Sequence, residues 1–220
     1  MWTERVVAAV VVAVGIVAAP VAQASSARPA CDLVTDAPND VMPATPDASN
    51  SDYDLRSADV ATDKRNLTAV IRLTSLAPED AGSIAARDYE FDFAANGHTF
   101  GLLASLLTGG ADFEAVVFDT NEAGGRMGSD LGAISGVIDA AHHEIRMTAP
   151  LSMFAPYASF KQTYIDQLYV TSARAVGHDS TQSPDGRVQV GSQSTAYVVD
   201  DAGSTARYQP GRRSCVHVGK

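Results

Sequence analysis

Tryptophan occurs once in these 220 residues, at Trp2, and cysteine twice, at Cys31 and Cys215. Two cysteines exclude a disulfide-dense miniature scaffold, and a chain of this length buries an adequate core without one. Basic side chains are the minority: 16 Lys and Arg against 26 Asp and Glu leave a net charge of −10, with a pI near 4.8. That sign repels phosphate backbones and anionic lipid surfaces, which sets general nucleic-acid binding aside. Long apolar runs are missing apart from Val6 to Ala19, which is shorter than the roughly 20 residues a membrane-spanning helix needs and is closed by Pro20. Missing too are the Gly-x-Ser-x-Gly elbow, a phosphate-cradling glycine loop and a cysteine free to act as nucleophile. His142-His143-Glu144 has Met147 where the helical zinc motif needs its second histidine, and the run around Asp52 and Asp54 lacks the sixth-position glycine of an EF-hand. No motif names a reaction.

What is present begins with an address. Arg5, the apolar stretch Val6 to Ala19 and the small-x-small triplet Ala22-Gln23-Ala24 make residues 1–24 a cleavable secretory signal, leaving residues 25–220 as one mature domain. Cleavage also removes Trp2, and with it the largest aromatic face available for stacking on a sugar. An exported chain folds where thiols oxidise, so Cys31 and Cys215 are expected to pair and to close nearly the whole domain into one loop.

The interior is written in period two. Leu67, Ala69, Ile71 and Leu73 fall on one side of Asn66 to Leu73, with Thr68 and Arg72 on the other. Tyr89, Phe91 and Phe93 alternate with Glu90 and Asp92, and Asn96-Gly97 then supplies the turn of a tight hairpin into His98 to Leu106. Further strands are expected over Leu55 to Ala61, Phe113 to Phe118, Ile134 to Asp139, Glu144 to Thr148, Leu168 to Val176, Tyr197 to Val199 and a stretch approaching Cys215. Asp63-Lys64-Arg65 reads as a turn, Gly124 to Asp130 as a flexible connection, and His178 to Ser194 as a polar excursion. The best helical segment, Leu151 to Phe160, is short and interrupted by Pro156. Many short strands between turn residues predict an all-β fold, an antiparallel β-sandwich, with a closed barrel as the alternative.

Thr35-Asp36-Ala37-Pro38-Asn39-Asp40, then Tyr53-Asp54-Leu55-Arg56-Ser57-Ala58-Asp59-Val60, then Asn66-Leu67-Thr68 to Arg72-Leu73 resemble the opening of secreted actinobacterial β-sandwich proteins. These are similar to family 9 carbohydrate-binding and DOMON-type domains. Tyr89 to Phe93 and the terminal Tyr208, Pro210-Gly211 and Ser214-Cys215-Val216 extend the likeness. Asn39 stands where the pattern has glycine, and asparagine tolerates the left-handed conformation such a turn requires. The resemblance implies a non-catalytic module, sometimes calcium-bound, that grips a sugar or another ligand. Without tryptophan, Tyr53, Tyr157 or Tyr164 would have to supply the stacking, unless they are ordinary core and rim residues. A haem pocket of the DOMON kind would draw on Met127, Met147 and the histidines, and no spacing pairs any two of them.

The chemistry-bearing signal is acidic. Asp36, Asp40, Asp47, Asp52, Asp54, Asp59 and Asp63 crowd one short stretch. Calcium takes six to eight oxygen ligands, and Asp36 and Asp40 across one turn, with Asp52 and Asp54 on one side of an extended segment, are the expected ligands. The bland alternative is that turn aspartates bind nearby backbone amides and need no metal. The expectation is therefore an exported, monomeric, disulfide-closed binding or cell-envelope accessory module without catalytic residues. Calcium is the one cofactor expected, and the partner expected is an extracellular ligand that the sequence does not name, a glycan being one kind that the resemblance implies. The alternative is a secreted glycan or ester hydrolase with dispersed carboxylates such as Glu90 and Asp92.

Overall fold

The computed structural model describes residues 31–42, 51–77, 85–107, 109–119, 127–161, 163–176, 180–182, 188–190 and 195–216. The segment 1–24 and Asp47 lie outside the described residues. The strands in chain order are β1 (Val34–Thr35), β2 (Leu55–Thr62), β3 (Asn66–Leu73), β4 (Ala85–Ala95), β5 (His98–Leu107), β6 (Gly110–Asp119), β7 (Met127–Ala133), β8 (Ser135–Asp139) and β9 (Glu144–Pro150). A single turn of helix, α1 (Leu151–Phe154), precedes β10 (Asp166–Val176), β11 (Ser180–Gln182), β12 (Val188–Val190) and β13 (Thr195–Ser204).

Two antiparallel sheets pack face to face, ordered β1-β2-β3-β9-β8 and β13-β10-β4-β5-β6-β7, with β11 and β12 as a separate pair. The sandwich expected from alternation is therefore the architecture. Its core follows the sequence pattern directly. Tyr89, Phe91 and Phe93 of β4 and Phe100, Leu102 and Leu106 of β5 face Leu67, Ala69 and Ile71 of β3 and Ile145, Met147 and Ala149 of β9, and all of them are buried. The hairpin turn stands where expected: Asn96 at φ 55° and Gly97 at φ 80° bring Ala95 opposite His98. Asp63 makes the expected turn as well, its Oδ1 accepting the Arg65 and Asn66 amides at 2.6 and 2.7 Å.

Other expectations are corrected. Met127 to Asp130, read as flexible connection, belongs to β7, because its backbone completes the edge ladder against β6. The polar excursion contains the β11–β12 pair. The stretch approaching Cys215 is turn and isolated bridge, with Val216 packed on Val70 and Ala61 against the outer side of the five-stranded sheet. Helix α1 ends before Pro156, whose missing amide and ring do not allow continuation.

One closure carries the chain between the layers, and another ties its two ends over the five-stranded sheet. Ile134 alone separates β7 from β8, so the chain changes sheets there, and its amide donates to the Phe113 carbonyl at 3.0 Å. The phenyl ring of Phe113 lies directly over Gly136 of β8. At the other side Cys31 and Cys215 form the expected disulfide, with Cα atoms 5.1 Å apart across a sequence separation of 184.

Candidate functional site

At the β1 end of the sandwich the chain leaves β1 into a turn whose Asn39 adopts φ 63°. Asparagine thus serves where a glycine would be expected. The turn is anchored by buried Asp54, whose Oδ1 accepts the Asn39 amide at 2.9 Å while its Oδ2 accepts the Thr74 hydroxyl at 2.6 Å. The Met42 amide then donates to the Val199 carbonyl at 2.8 Å, laying the segment against β13.

That strand carries the residue that sequence reasoning missed. The β10–β13 register steps from Ser172 opposite Asp200 to Ala173 opposite Val198, leaving Val199 as the extra residue of a bulge. A bulge re-aims the side chain beside it, and Asp200 is turned inward until only 4% of it is exposed. Its Oδ2 accepts the Leu55 amide at 2.8 Å and its Oδ1 the Asp201 amide at 3.0 Å. One carboxylate oxygen from each of Asp36, Asp40 and Asp200 lies within 4.8 Å of the others.

Three carboxylates at this spacing repel one another. Burial, opposed by the Leu55 and Asp201 amides and reinforced by the charges of Asp36 and Asp40, pushes the Asp200 carboxyl up to about 7. Asp36 is raised by burial first and by Asp40 next. Its Oδ2 is buried with no hydrogen-bond partner. A positive charge between these groups, proton or cation, would relieve the arrangement.

Of the four sequence candidates, Asp36 and Asp40 enter this cluster and Asp54 supports it from behind. Asp52 does not join them. Residues 51–53 form a turn rather than the extended run expected, so Asp52 and Asp54 do not share a side. Asp52 instead pairs with buried Arg87, whose Nη1 lies 2.6 Å from its Oδ2, and accepts the Ser75 hydroxyl. Arg87 Nη2 donates to the Ala77 carbonyl at 2.9 Å, so this pair locks the start of β4. Asp59, buried on β2, accepts Arg72 Nη1 at 2.7 Å and the Leu33 amide at 2.9 Å, a structural role.

No family model matches this chain, and neither a curated protein nor a solved structure matches it. The site's own chemistry therefore carries the reading.

The tyrosines and histidines distribute as follows. Tyr53 is core, stacked on Tyr89 with ring centroids 6.5 Å apart. Tyr157 meets the His98 ring edge-on, and exposed Tyr164 lies under the Arg207 guanidinium. His142 pairs with Asp139 at 2.8 Å in the turn before β9, and Met147 is fully buried core. Tyr169, not singled out from sequence, lines an open groove of about 1040 Å³ on the outer face of the six-stranded sheet, beside Glu90, Thr171 and Ser204. Its hydroxyl donates to Asp201 Oδ2 at 2.6 Å. Farther along that face the Glu114 carboxyl is raised by burial, then by Asp130, Asp88 and Asp112.

A pH prediction follows from Asp200. A carboxyl whose folded value exceeds its unfolded value of 3.8 holds its proton more tightly in the fold, so its contribution is present below about pH 4 and is lost as pH rises to about 7. In chelator, Asp40→Asn, which removes a repelling charge from an exposed side chain, is expected to melt with wild type at pH 4. By pH 8 it should melt roughly 2–4 °C higher, or about 1 kcal/mol after solvent screening. Melting curves across pH check this, and parallel curves would exclude the repulsion.

Proposed function

We propose that this chain is an exported, non-catalytic binding or cell-envelope accessory module whose β1 end is tightened by calcium. The observation that carries the proposal is the Asp36, Asp40 and Asp200 cluster, three carboxylates within 4.8 Å of one another with one oxygen of Asp36 buried and unpartnered. Asp36, Asp40 and Asp200 would hold the ion. Bound calcium would supply positive charge that neutralises their repulsion and joins the segment after β1 to β13. The Cys31–Cys215 disulfide supports an oxidising compartment, and among the described residues no helix is long and apolar enough to cross a membrane. The ligand proposed is a glycan lying in the Tyr169 groove, where an aromatic ring beside Thr171, Ser204 and Glu90 offers both stacking and hydroxyl recognition.

Calcium at about a hundred times its Kd is expected to raise the melting temperature of chelated protein by about 5 °C or more. Asp40→Asn should abolish most of that rise, and magnesium, which demands stricter geometry, should produce less. Equal melting in calcium and chelator would remove the metal from the proposal. Retention on insoluble polysaccharide, lost in Tyr169→Ala, tests the groove.

One observation favours the rival hydrolase: desolvation and the neighbouring acids raise the Glu114 carboxyl, the direction that suits a general acid. Turnover of a glycan or ester panel by pure protein, abolished by Glu114→Gln, would replace the module with the enzyme. Saturable binding without turnover supports the module.

A further inference from the structure

At the opposite end of β2, about 23 Å from Leu55 at ~3.3 Å per residue, lies a cleft of about 740 Å³ between the β2–β3 turn, the α1 segment and the chain around Pro210. Its walls are fixed. The Leu151 amide donates to the Arg65 carbonyl at 2.7 Å, which pins α1 to the turn. The Gly211 amide donates to Thr62 Oγ1 at 2.8 Å, and the Tyr208 hydroxyl accepts the Thr62 amide at 3.0 Å while donating to the Arg212 carbonyl. Phe160, in the lining, rests on Phe154 and Phe93 of the core with ring centroids 5.7 and 6.3 Å apart. A cleft framed this way needs little reorganisation to receive a ligand.

The charge at its mouth runs against that of the molecule. The chain has a net charge of −10 and only three lysines, and both lysines among the described residues, Lys64 and Lys161, line this cleft. Both are exposed, and neither ammonium has a carboxylate partner among the described residues. The one acidic group in the lining among the described residues, Asp63, is held ionised by two amides of its own turn that its Oδ1 accepts, so the lining carries two positive charges against one negative. The remainder of the wall is largely apolar, from Leu151, Ala155, Ala158 and Pro210. The volume is that of a site for one small molecule.

We propose that this cleft binds a small amphipathic anion, a carboxylate or phosphate carried on a short acyl body, with Lys64 and Lys161 facing the head group and the apolar wall covering the chain. Among the described residues no tryptophan or tyrosine lines the cleft, which separates this site from the glycan groove in chemistry as well as in place.

Calorimetric titration of the oxidised protein tests this with decanoate and decyl phosphate, each below its micelle concentration, and with decanol as the uncharged control. One-to-one saturable binding of at least one anion is expected, about tenfold or more tighter than decanol and weakened by salt. Preference between the two anions assigns the head group. Lys64→Gln with Lys161→Gln should cost about tenfold or more in affinity for the anion while leaving decanol unchanged. Ala155→Trp, which fills the cleft and keeps both lysines, should remove binding of all three. Equal binding of decanol and both anions, an unaffected lysine double variant, or no saturable heat would each overturn the proposal. Circular dichroism of the variants separates lost binding from lost fold.

Discussion

Replacing Cys31 and Cys215 together by alanine is expected to lower the unfolding free energy by about 5 kcal/mol, the chain-entropy value for a loop of this length. The bond spans a sequence separation of 184, so nearly all of the described domain lies inside the loop it closes. Domains are typically stable by about 5–15 kcal/mol, which places the uncrosslinked protein near the edge of folding. Local structure shows where loosening would begin. Strand β1 is two residues long, and Val216, directly after Cys215, packs on Val70 and Ala61 from outside the sheet. Urea titration of the oxidised wild type against the double variant measures the effect. A loss below about 1 kcal/mol would mean that the noncovalent contacts of the two ends already impose the closure.

Gly136→Ala is expected to destabilise the protein by about 3 kcal/mol, the upper end of the cost of overpacking a core. A methyl group there would stand 2.2 Å from Cδ1 of Phe113 and 2.3 Å from its Cε1, so the ring must move. Phe113 cannot yield freely. It is packed against the main core, and its carbonyl holds the Ile134 amide at the corner where the chain changes sheets. The melting temperature should fall by roughly 6–12 °C for a chain of this size. Phe113→Leu in the same molecule should return a large part of the loss, because the two sites share one contact and their effects are coupled. Additive losses would show that the ring does not set the constraint.

The fold was legible where one residue in two faces the core. Asn66 to Leu73 coincides with β3, and the Asn96-Gly97 turn with its hairpin, because alternation and left-handed propensity are local properties. Met127 to Ala133 was not legible as a strand: an edge strand with glycines at 128 and 132 has little apolar alternation, and its pairing with β6 is a property of the partner. The acidic site was half legible. Asp36 and Asp40 announce themselves by spacing across a turn. Asp200 is 160 residues beyond Asp40, and only the β13 bulge brings it to them. Asp52 looked equivalent to Asp54 by spacing, and a turn at 51–53 with buried Arg87 nearby gave it a different partner. Charge composition alone did not reveal the lysine cleft, because it sums over the surface and loses where the minority sign gathers.

The pairing of residue 31 with residue 215 has a consequence for how such a chain is made. Synthesis runs from one end, so the first thiol emerges long before its mate, and Asp36 and Asp40 likewise wait for Asp200. Neither latch can shut on a partial product. Both closures therefore wait until the last strand and the segment after it have been made.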